Sequence, residues 1–211
     1  NYGTWQGFGW GEQIVVIKST VEVGTTNRLR KAYPDMKIVF SPEFASMSKY
    51  WSPHSIDQNM LGEPHYIFGG AEKDCSKLVD LFLQIGGPTK RYNITSAREA
   101  EMTKYVMNNF AFTKVIFCSQ IKDLCDKMNI SWHRVRELWL QDPRVSPMHT
   151  AVFEENRAVS GLCFPKDLSA LIYMAEQVGE EDTLFHAIRK INEKLKERDK
   201  EVVKDRIKLK E

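Results

Sequence analysis

From Ala97 to Met128 the chain runs without a glycine or a proline, and its apolar residues return at helical intervals. Met102, Val106, Phe110, Phe117, Ile121 and Leu124 keep that period, with Lys114 as the interruption. The stretch predicts one helix of about 32 residues, roughly 48 Å long. A single domain rarely buries so much helix, so such an element serves as a central strut or as a dimer interface.

Ahead of this helix, strand and helix signals alternate. "QIVVIKSTV" (13–21) is a short β-branched run, and "GTTNRLRKAY" after it reads as a helix with Thr25 or Thr26 as N-cap. "MKIVFSPEF" (36–44) and "PHYIFGG" (64–70) read as two more buried strands, and "AEKDCSKLVDLFLQIGG" (71–87) as a helix closed by glycine. That alternation predicts an α/β fold built on a parallel sheet. Behind the long helix the signals are all helical. "SWHRVRELWLQ" (131–141) carries Ser131 as cap, and "PKDLSALIYMAEQVG" (165–179) opens with proline and ends in glycine. A last amphipathic helix dissolves into alternating charges. The boundaries that follow are 1–95, 96–200 and a charged tail, 201–211.

Composition excludes several classes of function. The 30 basic residues against 28 acidic give a net charge of +2, too balanced for nucleic-acid binding across the surface. The basic tail mixes acids with its lysines and lacks aromatics, the pattern of a solvated helix face. No apolar run is long enough to span a membrane, and no leader is expected at the N-terminus. Four cysteines without a CxxC pair read as reduced thiols, hence a cytoplasmic protein. The five histidines show no HxxxH or HExxH pairing, so no metal site is expected. "GTWQGFGWGEQ" precedes a strand instead of following one, which argues against a phosphate-binding loop.

Lys104 and Asn108 in "EMTKYVMNN" are four apart and project from one face of the long helix. Alone they read as an exposed polar stripe. Cys163 in "SGLCFPKDLSAL" has Lys166 and Asp167 close behind it, and alone it is as compatible with a core thiol as with a nucleophile.

The order "IKSTV", "SPEF", "EMTKYVMNN", "CFPKD" resembles the UDP-glucose/GDP-mannose dehydrogenase family over about residues 13–192. The resemblance implies a partial Rossmann-like parallel sheet, a long central helix and an all-helical dimerisation domain. Residues 1–95 would be the remainder of a dinucleotide-binding domain, and 96–200 the helical domain with the catalytic cysteine. It implies NAD as cofactor, a nucleotide sugar (UDP-glucose first) as substrate, and a homodimer formed through the long helix. The activity it implies is two-step oxidation of the sugar C6 alcohol to a uronic acid, through a thiohemiacetal and a thioester on Cys163.

Lys104 and Asn108 would then stabilise the developing oxyanion, and Asp167 would position a water or accept a proton. Glu43 would be the general base, and Thr20 would order the water and border the nicotinamide. Cys163 and Lys166 would lie beside the cofactor. Glu43, Phe44, Lys104, Asn108, Arg144 and Gly161 would contact the nucleotide sugar, Arg144 across the dimer interface.

Four departures qualify the match. The family's leading strands with their glycine fingerprint are expected ahead of this stretch, and its third domain beyond it. Met47 stands where the family usually has a second glutamate. The glycine loop before the cysteine is "AVSGLC", keeping only Gly161, so Val159 and Ser160 are expected to narrow or reshape the pocket. The alternative reading is a non-catalytic binding module, or one part of a split enzyme.

Overall fold

The computed structural model describes residues 13–44 and 63–208, with side chains as far as residue 204. The N-terminal glycine run, Met47, His54 and the last residues of the charged tail lie outside the described residues. The chain forms two compact units, Asn1–Lys104 and Tyr105–Glu211. The division falls inside the long helix and not at its start.

The first unit holds a sheet of four strands in sequential order: β1 (Ile14–Ile17), β2 (Lys37–Phe40), β3 (His65–Gly69) and β4 (Arg91–Thr95). Helix α1 (Thr25–Ala32) joins the parallel pair β1–β2, and α2 (Glu72–Gly86) joins the parallel pair β3–β4. The expectation of a wholly parallel sheet fails at the centre. There β2 and β3 are antiparallel, through the single pair Phe40–Gly69. An apolar run marks a buried strand but carries no direction, and a long connection permits either.

The core of this unit follows from two periods. On β3, Tyr66 and Phe68 alternate onto one face; on α2, Cys75, Leu78 and Phe82 share a stripe. Phe82 meets Tyr66 and Phe68 edge-on with ring centroids 5.0 and 5.1 Å apart. Gly69 is required at the end of β3, because a Cβ there would lie 2.5 Å from the Cβ of Ala100 and 2.9 Å from the Ser96 carbonyl oxygen. Strand β4 had no sequence signal, since Arg91 and Asn93 are exposed and only Tyr92 reaches the core cluster.

Helix α1 corrects the expected cap. Its N-cap is Gly24, with φ at 98°, and no side chain of its own caps it. The cap comes instead from Glu101, which is fully buried. Its carboxylate accepts from the Gly24 N–H at 2.5 Å, the Thr26 N–H at 2.8 Å and the Thr26 hydroxyl at 2.7 Å.

Helix α3 (Ala97–Lys127) is the long helix, 31 residues in one run. It opens with a reciprocal capping box: Glu99 accepts from the Ser96 N–H at 3.0 Å, and Ser96 Oγ accepts from the Glu99 N–H at 3.3 Å.

In the second unit, α4 (Trp132–Trp139) starts at the expected cap, Ser131, which accepts from the Arg134 N–H. Helix α5 (Cys163–Val178) ends at Gly179 with φ at 71°, and α6 (Thr183–Lys208) follows. Helix α6 runs on into the stretch expected to be a separate tail. One core joins Phe112 and Ile116 of α3 to Leu168 and Ile172 of α5 and Ile188 and Leu195 of α6. Another joins Cys118 and Cys125 of α3 to Trp132 of α4. In this unit α3 therefore has two buried faces, which explains why its sequence is apolar over so wide an arc.

Candidate active site

Helix α5 was expected to open at Pro165 but opens two residues earlier, at Cys163. Proline is tolerated there because the first turn has no intrahelical use for its N–H. The consequence is chemical: Cys163 is the first residue of the helix, and its thiol is exposed. No side chain caps this turn, so its leading N–H groups are left to solvent or a ligand. The turn is pinned by Phe164, whose ring lies 6.1 Å from that of Phe112 and 5.6 Å from that of His149.

Asp167 stands one turn beyond Cys163 and is completely buried. A buried carboxylate is costly unless it is paired. Its partners are the Asn108 amide, donating to Oδ2 at 2.5 Å, and the Lys166 ammonium, donating to Oδ1 at 2.5 Å. The second unit thus gathers Asn108, Lys166 and Asp167 in one hydrogen-bonded chain, one turn from an exposed thiol.

The first unit holds a separate group. Strands β1 and β2 are parallel, so Thr20 and Glu43, each three residues past a strand end, follow carboxyl ends on the same side of the sheet. Open parallel sheets bind ligands at that edge. The segment 42–44 is tied at every residue. Lys18 Nζ donates to the Pro42 carbonyl at 3.5 Å, Lys104 Nζ donates to the Glu43 carbonyl at 2.6 Å, and the Phe44 N–H donates to Glu63 Oε1 at 2.7 Å. Lys104 Nζ also lies 5.4 Å from the centroid of the Phe44 ring. With its backbone fixed, the Glu43 side chain is exposed.

Burial holds the Lys18 ammonium below the usual lysine range, against the opposing pull of Glu63 and Glu43. Glu63 itself is 1% exposed, and its Oε2 finds no hydrogen-bond partner. Ser41 Oγ, also at the end of β2, is buried and unpartnered too.

Other expected residues stand apart from these groups. Arg144 is exposed and folds back on Asp142, with Nε and Nη2 donating at 2.9 and 2.6 Å to its two carboxylate oxygens. Gly161 is exposed, and a Cβ there would meet nothing within 4 Å, so no neighbour in this chain requires a glycine. Val159, expected to narrow or reshape the pocket, packs inward against the α3–α5–α6 core. An apolar side chain is drawn to the core, and Asn192 holds its backbone in place.

Lys18, Glu63, His149 and Asn192 were not expected. Lys18 was visible inside "IKSTV", whereas Glu63 sits in no periodic pattern. His149 has φ at 62°, and burial with nearby Lys114 holds its imidazole below the usual range. Glu176, Asp182 and His186 each bring one possible ligand atom within 4.8 Å of the others. The Arg189 guanidinium contacts His186 Nδ1 at 2.8 Å and can only donate. The His186 Nε2 lies 3.2 Å from Asp182 Oδ2, so Arg189 and Asp182 flank the ring on its two nitrogens.

Residues 98–194 match the model of the UDP-glucose/GDP-mannose dehydrogenase family, central domain. The chain is 31% identical over 189 residues to the UDP-glucose 6-dehydrogenase of Pseudomonas aeruginosa, a match covering 87% of this chain and 41% of that protein. It is 25% identical to the GDP-mannose 6-dehydrogenase of the same organism, with 84% and 41% covered. Among solved structures, a UDP-glucose dehydrogenase from Pyrobaculum islandicum superposes with a TM-score of 0.73 at 25% identity, over 92% of this chain and 44% of that one. The UDP-D-ManNAc dehydrogenase of Pyrococcus horikoshii gives 0.67 at 26% identity, over 85% and 41%. The chain spans about two fifths of the length of the curated relatives it matches. No helix among the described residues is long and apolar enough to cross a membrane.

Proposed function

Since the chain belongs to the UDP-glucose/GDP-mannose dehydrogenase family, we propose that its residues serve the NAD-dependent oxidation of a nucleotide-sugar alcohol to a uronic acid, with UDP-glucose as the first candidate substrate. The single observation that carries the reading is the state of Asp167. It is a fully buried carboxylate, held by Asn108 and Lys166, one helical turn from an exposed thiol. A scaffold needing only stability would fill that position with an apolar side chain at no loss.

Loss of a first hydride from C6, with the hydroxyl proton passing to solvent, gives the aldehyde; Cys163 Sγ then adds to its carbon, giving a thiohemiacetal whose oxyanion would be met by Lys104 and Asn108. Loss of hydride converts this adduct to a thioester on Cys163. Glu43 takes a proton from the water that cleaves it, and Thr20 orders that water. Asp167 keeps the Asn108 amide aimed and pairs with the Lys166 ammonium. NAD, when bound, supplies the hydride acceptor. Thr20, Lys166 and Cys163 would border it, and the unpartnered Ser41 hydroxyl at the end of β2 fits a polar ligand there. Arg144, with its guanidinium exposed, would reach the nucleotide sugar of a second copy.

Dimerisation is part of the same proposal. Val106, Phe110, Phe117 and Leu124 of α3 are all more than half exposed, an apolar stripe that a second copy would cover. The four free thiols suit the cytoplasm.

The test is NADH formation from UDP-glucose by the wild type and Cys163→Ser. A loss of at least about 10³-fold is expected for removal of a covalent nucleophile. Equal rates would exclude the covalent route.

A further inference from the structure

Residues 157–159 are anchored to the helices around them at every position. The Arg157 side chain is 3% exposed and pairs with Asp123, with Glu154 at 3.2 Å and with Asp126 at 3.5 Å. The Ala158 N–H donates to Asp199 Oδ2 at 2.8 Å. The Val159 N–H donates to Asn192 Oδ1 at 2.8 Å, and the Val159 carbonyl accepts from Asn192 Nδ2 at 3.0 Å. Asn192 is 3% exposed and satisfies both backbone groups of one residue, as a neighbouring strand would.

The next three residues are held by nothing comparable. Ser160, Gly161 and Leu162 are exposed, Leu162 to 90%. Leu162 is the N-cap of α5 yet provides no side-chain cap. The place of Cys163 is therefore fixed from two sides: downstream by Phe164 and Asp167 in the core, upstream by the anchor at Val159. Without that anchor, the uncapped first turn of α5 has only one firm end, and helix termini fray from the free side.

We propose that Asn192 is a positioning residue for Cys163, holding the loop from α6 so that the first turn of α5 stays wound beneath the thiol. The proposal rests on the reading of Cys163 as the reacting group. The role is distinct from general stabilisation because the amide grips the chain four residues ahead of the thiol and not the thiol itself.

Three of the four cysteines provide the test. Asn192→Ala is made in the full chain, and iodoacetamide labelling is followed by peptide mass spectrometry across a pH series. Cys118 and Cys125 are buried in the same unit as Cys163 and report any opening of its core. The expected result is a Cys163 rate lowered about two- to fivefold, the reach of a helix-terminus effect, with an altered pH profile and with Cys118 and Cys125 still protected. An unchanged Cys163 profile would overturn the proposal. So would labelling of all three cysteines in step, which assigns Asn192 to the fold alone. If Asn192→Ala does not fold, Asn192→Asp, which keeps an acceptor for Val159 N–H and loses the donor, is judged by the same measure. Failure of the nucleophile reading shows separately, as unchanged turnover in Cys163→Ser while the labelling difference persists.

Discussion

Asn108 of α3 donates to the fully buried Asp167 of α5 at 2.5 Å, a bond between residues 59 apart in sequence. A hydrogen bond to a buried charge is stronger than a neutral one, and losing it leaves the charge under-satisfied. Asn108→Ala is expected to lower stability by about 1–3 kcal/mol. Urea unfolding followed by tryptophan fluorescence checks this, since Trp132 and Trp139 lie in the same unit.

Glu101→Ala should be costly for a different reason. It strands two backbone donors and a hydroxyl at the start of α1. A loss of about 2–4 kcal/mol is expected, from several orphaned groups at a helix terminus. Glu101→Gln keeps one acceptor and should fall between. Thermal melts of the three proteins order them.

Alkaline stability should depend on two core thiols. Burial pushes Cys75 and Cys118 from an ordinary value of 9.0 up to about 11. Between those values the unfolded chain has lost thiol protons that the native chain keeps. Their contribution is therefore full below pH 9 and is lost as pH rises through about 11. Cys75→Ala and Cys118→Ala should each flatten the decline of stability over that window, measured by denaturant midpoints at a series of pH values.

At the acid end, hydrogen bonds from Thr95 and Ser96 hold the Glu99 carboxyl down at about 2. A depressed carboxylate stabilises the fold above its unfolded value and ceases to do so as pH falls through the folded one. Glu99→Gln should weaken the start of α3 at neutral pH and remove this part of the acid dependence. Helicity against pH reads both effects.

The dimer proposal is checked by charge. Phe110→Glu with Phe117→Glu places two carboxylates on the exposed apolar stripe of α3. A monomer by light scattering, with helicity retained, is the expected outcome.

Where a pattern is periodic, the fold was legible in the sequence: α2, α3, α4 and three of the strands lie where their apolar spacing put them. Ser131 was readable as a cap because its partner is three residues away. The cap of α1 was not, because its partner lies 75 residues downstream of Thr26. The same limit hid the direction of β3 against β2, and the polar strand β4. Around Cys163, motif order pointed to Asn108, Lys166 and Asp167 together. Asn192 and Glu63 were not legible, because side chains that hold a distant backbone leave no local signature.

The Glu101 cap also fixes an order of events during synthesis. Helix α1 leaves the ribosome with the Gly24 and Thr26 N–H groups bonded only to water, since the Glu101 that caps them in the fold has yet to be made. A protease or chaperone meeting the nascent chain before residue 101 emerges would find α1 frayed. Completion of the first unit is thus timed by translation of the helix that also begins the second.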